Sequence, residues 1–591
     1  MSDDTNPTLS PPEPPVFRLG LTLAGAVSAG AYSAGVLDFL REALDAWEKA
    51  KANGKDSSGI FVPQHRVEIK AISGTSAGAM CAAMFVGTLR NQPLAHPSPL
   101  YTAWVDQIDI DPMLDDADLL AAKGVKSLLN CRILDDIAQQ ILPSNNSAFS
   151  LPPWVAENTE LFLCTTSLRG IPYNINAYPG GDSPYGMSLH AGVMKYRLLS
   201  NGTAPCLPID SIPLSADAPP DNWNNLRNAA LASGAFPIAL QARITNTPLD
   251  TLRNRRWEVP EEAGRRLQRQ HEMTPAITGP SASFSEVCVD GGAINNEPVE
   301  HVRLALSLPE IPLPGCTIKR LERELKKADA ATILIDPFPD AQNFKEQYEP
   351  RLDLWSVIKG LAPAIMNQLR FKADELILAE SVGVGSRYLI SPKRRIPAGG
   401  QEGQANLACG SLGGFLGFID RAFRHHDYQL GRLNCQRFLA RHFYMDMQSE
   451  GAGGPRQLFA DTPHEYLGAS YFGNEDLAAI VAEQMEENPG IAPVPVIPLM
   501  PELRGIKAAI GSESLDWPKY DRKRLDGPDG LERRIRNRLD GVLTRIMDFL
   551  DIPVRRWLLS GFATLLQVNP AVRAAKSIRK AIEEALKSAG L

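Results

Sequence analysis

The chain has 591 residues, of which 44% are hydrophobic and 22% charged, a composition that excludes disorder of the whole and allows several domains' worth of buried core. A formal net charge of -7 is mild for this length, so nothing in the bulk electrostatics points to nucleic acid or another polyanionic partner. The eight cysteines are scattered, with no Cys-x-x-Cys pair, which fits a reducing compartment and argues against a redox or zinc site built on thiols.

Met1 to Pro15 is polar, acidic and proline-rich, and it lacks the basic start and apolar run of a secretory signal. It reads as a disordered tail, and the cytoplasm is the expected location. No apolar stretch approaches the ~18 residues of a membrane-spanning helix, even at Ile491 to Met500, where prolines interrupt the run. Any membrane contact is therefore expected to be peripheral.

Val16 to Leu23 is an apolar run with β-branched members, ended by the small-residue loop Ala24 to Gly30, the pattern of a strand and a tight turn. Val36, Leu37, Leu40, Leu44 and Trp47 then recur at helical spacing until Asn53-Gly54, with Asp38, Arg41, Glu42 and Asp45 on the other face. The same grammar repeats: the strand Val67 to Ser73 runs into Gly74-Thr75-Ser76-Ala77-Gly78 and a helix-compatible stretch from Ala79 to Met84. Further strands are predicted at Leu161 to Thr165, Glu286 to Val289 and Ala331 to Ile335, giving an α/β class with a mostly parallel central sheet.

Residues 16–340 are expected to form the catalytic domain, with the polar, arginine-rich stretch 243–285 as a surface insertion. Residues 341–500 read as a mainly helical accessory region. In 501–591, Arg533, Arg534, Arg536, Arg538, Arg545, Arg555 and Arg556 interleave with Leu539, Val542, Ile546, Phe549, Trp557 and Leu558. These are the ingredients of an interfacial helix, although such an apolar stripe more commonly packs on the protein's own core.

The intact Gly-x-Ser-x-Gly at Gly74 to Gly78 lies between a strand and a helix, the context in which a serine nucleophile is exposed on a sharp turn. A serine needs a base. Val287-Cys288-Val289-Asp290-Gly291-Gly292 sets an aspartate directly after a strand on a glycine turn. The loop Ala24 to Gly30 offers backbone N–H groups for an oxyanion hole; it lacks the Lys-Ser/Thr of a P-loop, and no Gly-x-Gly-x-x-Gly is present. Adjacent histidines in His425-His426-Asp427 point in different directions on a helix and make no complete ligand set, so no metal and no cofactor are expected.

In this order the loop, the Gly-Thr-Ser-Ala-Gly elbow, Ala229 to Pro237 and Asp290-Gly291-Gly292-Ala293-Ile294-Asn295-Asn296-Glu297-Pro298 resemble the patatin-like phospholipase family, over about Val16 to Pro339. Gly413 to Leu439 resembles a downstream helical region of longer bacterial members. The resemblance implies a patatin-like three-layer α/β/α fold with a helical C-terminal extension. It further implies a Ser76-Asp290 dyad that hydrolyses acyl esters of lipids through an acyl-enzyme, with lipid at a membrane surface as the partner. Gly25, Ala26, Val27 and Ala77 are the expected oxyanion donors, supported by Gly74, Gly78, Gly291 and Gly292 around the two reacting side chains. The loop departs from the family: three consecutive glycines and a basic residue are replaced by Gly25-Ala26-Val27 and Ala29. Two rival readings are a Ser-Asp-His esterase using His301 and a lipid-binding protein with weakened catalysis. Head group, acyl position, acyl transfer and oligomeric state are encoded by no motif.

Overall fold

In the computed structural model, β1 (Val16–Leu23) leads through the small-residue loop into α1 (Gly30–Asn53), which Gly54 ends in the left-handed conformation. The structure describes residues 16–338 with breaks at 91–93, 122–123, 145–147, 176–184, 204–208, 262–263, 269–274, 278–281, 310–314, 320 and 322–326, then 387–394, 406–446, 493–549 without 511–514 and 528, and 570–591. The proline-rich tail, the glycine-rich stretch 398–403, most of 341–500 and Arg555 to Leu558 lie outside the described residues.

Past α1 come β2 (Arg66–Thr75), α2 (Ala77–Thr88), α3 (Arg132–Ile141), β3 (Val155–Ile175), β4 (Tyr185–Leu198), β5 (Ile212–Leu214) and α4 (Pro220–Ser233). They are followed by β6 (Arg243–Pro248), the hairpin β7 (Trp257–Glu261) and β8 (Gly264–Gln268), β9 (Ser283–Asp290), α5 (Val299–Ser307), β10 (Ala330–Ile335) and β11 (Arg387–Ile390). The central sheet runs β11-β10-β1-β2-β3-β4-β5, with β9 paired to β3 and β6 to β9. Neighbours from β11 through β3 are parallel, as are β4 and β5. The pairs β3-β4, β3-β9 and β6-β9 are antiparallel. Every residue of β10 is buried, as expected for a parallel strand covered on both faces. The fold is thus the patatin-like α/β/α arrangement with a mostly parallel sheet.

The stretch 243–285 opens with a strand and so is not wholly a surface insertion. Thr245 and Thr247 of β6 are buried while Ile244 is exposed, the period-2 pattern of an edge strand whose inward residues happen to be polar.

Helix α1 is covered on both faces. Leu37, Leu40, Leu44 and Trp47 are buried as expected, and so are Asp38 and Arg41, both 1% exposed. The cover over Asp38 includes α6 (Arg421–Arg441), from the region expected to be accessory. Tyr428 donates to Asp38 at 2.7 Å, and Arg432 grips Glu42 at 2.7 and 2.8 Å. Methyl groups at Gly35 and Gly431 would sit 2.0 and 2.1 Å from the carbonyls of Tyr428 and Tyr32, so the two helices cross backbone to backbone. Asp38 therefore lies in a polar contact inside the core, and burial pushes its carboxyl up to about 6 against the hydroxyl donors Ser98 and Tyr428, which lower it.

The C-terminal helices α7 (Leu531–Phe549) and α8 (Pro570–Ala589) turn inward Ile535, Val542, Ile582 and Leu586. Arg538 is 1% exposed and donates to Asp118 and to the carbonyls of Leu128 and Asp115. At least this arginine belongs to the packing of the chain on itself.

Candidate active site

Strand β2 passes through Gly74 to Thr75 and hands over to α2 within one residue, Ser76, whose φ of 54° and ψ of -126° are rare for a residue with a side chain. Such a conformation costs on the order of 1–3 kcal/mol and persists only where the surroundings enforce it. Here the Ser76 N–H donates to Ser233 Oγ at 2.9 Å, and the Ser233 hydroxyl in turn donates to the Cys164 carbonyl. The Ser76 carbonyl accepts from Met80 N–H at 3.1 Å, inside the first turn of α2. A methyl on Gly78 would meet Leu23 O at 2.3 Å and Ala24 O at 2.6 Å, so only glycine lets the helix start this close to the end of β1.

Asp290 is the last residue of β9 and opposes Thr165 of β3. Its backbone is pinned on both sides: its N–H donates to Ala235 O at 3.0 Å, and Thr166 Oγ1 donates to its carbonyl at 2.9 Å. One carboxylate oxygen, Oδ1, accepts from Gly292 N–H at 2.7 Å. The other, Oδ2, accepts from Ser76 Oγ at 2.6 Å, within the range of a strong charge-assisted bond. Ser76 is 7% and Asp290 4% exposed, so the pair is largely shielded from competing water. Residues 214 positions apart are brought together because β2 and β9 both flank β3.

His301 is elsewhere. Its ring stacks on Phe162 at 5.3 Å, 18° from parallel, and its Nε2 lies 3.7 Å from Glu300. His425 and His426 also point apart, the first toward the Tyr101 hydroxyl at 3.0 Å and the second to Asp427 at 2.8 Å. Asp427 meanwhile accepts from the N–H groups of Ala408 and Cys409.

The loop expected to supply an oxyanion hole differs from that expectation at Gly25. Its N–H donates to the Asn296 carbonyl at 3.2 Å and so is already engaged; the lack of a side chain is what matters there. A methyl on Gly25 would lie 2.4 Å from Asn296 Oδ1 and 3.1 Å from Ser76 Cβ. Ala26 and Val27 follow at the start of a short 3-10 turn, and Ala77 is the first residue of α2, whose N–H has no acceptor within the helix. Val27 has φ 48°, a left-handed position that costs a β-branched residue more than it costs glycine. Ser28 is fully buried and donates to the Gly414 carbonyl, fastening the loop to the 410–418 turn.

Val27, Met80, Trp104, Ile108, Leu134 and Phe418 are among the residues that enclose Ser76 and Asp290 in a mostly apolar cavity of about 30 Å3. That is the share of liquid volume of roughly one water. Phe236 and Phe415 meet edge to face at 5.2 Å, with Phe418 against Phe415 at 5.8 Å. Ser233 lies in the Ala229 to Pro237 segment noted in the sequence, but its bond to Ser76 had no local signal; the aromatic wall comes from segments far apart in the chain.

The fold and the strand-elbow-helix turn are those of the patatin-type lipid acyl hydrolases. Residues 21–303 match the family described as patatin-like phospholipase, and the chain belongs to that family. It is also 34% identical, over 94% of its length and 80% of the other protein's, to the uncharacterized protein y4iI of Sinorhizobium fredii (strain NBRC 101917 / NGR234). A slight likeness to VipD from Legionella pneumophila, with a TM-score of 0.22 and 10% identity over 96% of this chain and 89% of that one, does not bear on the fold. Among the described residues no helix is long and apolar enough to cross a membrane.

Proposed function

We propose that the chain hydrolyses acyl esters of phospholipid or lysophospholipid with Ser76 as nucleophile and Asp290 as its base, acting at a membrane surface to which it binds peripherally. The 2.6 Å bond from Ser76 Oγ to Asp290 Oδ2, at the tip of a strand-to-helix turn, carries this reading. Asp290 takes the hydroxyl proton as Ser76 Oγ bonds to the ester carbonyl carbon. The N–H groups of Ala26, Val27 and Ala77 stabilise the tetrahedral oxyanion. Its collapse expels the alcohol with the proton from Asp290. Water then adds to the acyl-enzyme with Asp290 again as base, releasing fatty acid and restoring Ser76. No histidine takes part, in keeping with the stacking of His301 on Phe162.

Acyl release from mixed phospholipid vesicles and from a short-chain ester tests this directly. Ser76→Ala and Asp290→Asn are each expected to lose activity, while His301→Gln keeps it. A base must be ionised to act, so the rate should fall at acidic pH. Full activity in Ser76→Ala, or a profile with no acidic limb, would overturn the assignment. One observation favours a second reading, lipid binding with slow turnover: Val27, at φ 48°, carries a side chain where the family has glycine. Saturable vesicle binding with no fatty acid released would select it.

A further inference from the structure

A second cavity, about 310 Å3, shares no lining residue with the one at Ser76. It lies between β3, β4 and α5 and the segment leading into β7, with Phe162, Ile171, Trp257, His301 and Leu304 among its walls. At one end Lys195, Arg197 and Arg256 surround Glu160 and Asp210, with contacts of 2.5 to 3.1 Å. Those charges answer one another.

Two other groups on the wall are answered only in part. Glu286 is 5% exposed; a hydrogen bond with Ser167 and the charges of Arg169 and His190 act on its carboxyl, yet its Oε2 is buried with no hydrogen-bond partner among the described residues, and the same holds for Trp257 Nε1. Each unpaired buried group costs about 1–3 kcal/mol, and a native cavity holding both an orphan acceptor and an orphan donor calls for an explanation. Burial pushes the Glu286 carboxyl up in spite of Ser167, Arg169 and His190, which lower it, and an ammonium beside Oε2 would oppose the rise further. The Arg255 guanidinium lies over the Trp257 ring, 4.4 Å from its centroid, so positive charge stands on that side of the cavity and favours an anion there. Phe162 and His301 add a stacked aromatic wall suited to a flat apolar body.

We propose that this cavity binds a small zwitterion with an apolar body, the chemistry of an aromatic amino acid. Its ammonium meets Glu286, its carboxylate lies toward Trp257 and Arg255, and its ring packs by Phe162 and His301. The site is independent of the dyad, and its test does not read catalysis.

Titration calorimetry on the full chain would compare L-phenylalanine with phenethylamine, which lacks the carboxylate, and 3-phenylpropanoate, which lacks the ammonium. Phenylalanine should bind saturably and about tenfold or more tighter than either, since each lost charge-assisted bond is worth about that much. In Glu286→Gln phenylalanine should fall to the level of 3-phenylpropanoate. Trp257→Phe should weaken both carboxylates and leave phenethylamine unchanged. No saturable binding by any of the three would overturn the proposal. So would equal binding of phenylalanine and 3-phenylpropanoate by the unaltered protein, a comparison that needs no variant to fold. Glycerophosphoethanolamine carries the same charges on a polar body; its binding above phenylalanine would overturn the apolar half and assign the zwitterion to a lipid head group.

Discussion

Gly78→Ala is the sharpest single perturbation of the elbow. The added methyl would lie 2.3 Å from Leu23 O and 2.6 Å from Ala24 O, whereas carbon-to-oxygen contacts ordinarily begin near ~3.3 Å. Neither carbonyl belongs to a side chain that can swing away, and the next link, Ala24 N–H to Ile335 O at 3.0 Å, ties this stretch to the neighbouring strand. The start of α2 must therefore retreat by about 1 Å, at an overpacking cost of about 1–3 kcal/mol. That retreat carries Ala77 N–H away from the Ala26-Val27 loop, and a misplacement of this size is worth on the order of 100-fold in rate. The loss should fall on kcat and leave KM nearly unchanged, because the proposed oxyanion contact is made in the transition state. Acyl release from vesicles and a thermal melt measure the two effects together. Gly54→Ala is the control: Gly54 also has positive φ, at 69°, but an added methyl meets nothing within 4 Å. It should cost about 1–2 kcal/mol and spare activity. Wild-type kcat in Gly78→Ala, or equal loss in both variants, would refute the reasoning.

Three further outcomes are expected. Val27→Gly removes left-handed strain of about 1–2 kcal/mol and adds backbone entropy of about 0.5–1 kcal/mol to the unfolded chain; stability should change little while acyl release rises several-fold, and a fall in rate would show that the valine does not obstruct the carbonyl. Burial pushes the His65 imidazole down to about 3, although its Nε2 bonds the Val496 carbonyl at 2.8 Å. The unfolded chain then binds a proton from about pH 6.5 downward that the folded chain refuses until about pH 3. Stability from this residue is present above 6.5 and falls by about 1.4 kcal/mol per pH unit on acidification. Urea midpoints between pH 7 and 4.5 should show a shallower slope in His65→Gln, and an unchanged slope would contradict a neutral His65. Arg538→Met strands Asp118 and the carbonyls of Leu128 and Asp115, so denaturant unfolding should report a loss of about 3 kcal/mol; a loss below about 1 kcal/mol would mean that water replaces the guanidinium.

Both strand-loop-helix units were legible in the sequence, since apolar period and glycine punctuation change together at Leu23 and at Ser73. Asp290 was legible for a similar reason, standing at the end of an apolar run before two glycines. What escaped was set by tertiary contact. β6 hides in an arginine-rich stretch because its inward residues, Thr245 and Thr247, carry no apolar signal. Asp38 and Arg41 read as a solvent face because nothing local reveals that Tyr428, Ser98 and the Thr88 carbonyl will meet them. The diversion of Gly25 N–H to Asn296 likewise depends on a partner 271 residues away in the chain, and backbone acceptors leave no mark on residue type.

The close crossing of α1 and α6 also governs how the protein is made. Tyr428 reaches Asp38 across 390 residues, so at about 5–20 residues per second the ribosome needs roughly 20–80 s to deliver the partner of the first helix. Through that interval the flank of α1 around Gly35 has no helix against it, and the nascent chain presents an incomplete core even after the strands bearing Ser76 and Asp290 have been synthesised. A chain released at residue 340 would keep that flank bare. Recovery of such a fragment should therefore depend on chaperone supply, and the span that matches the family should not mature into an enzyme before α6 has been synthesised.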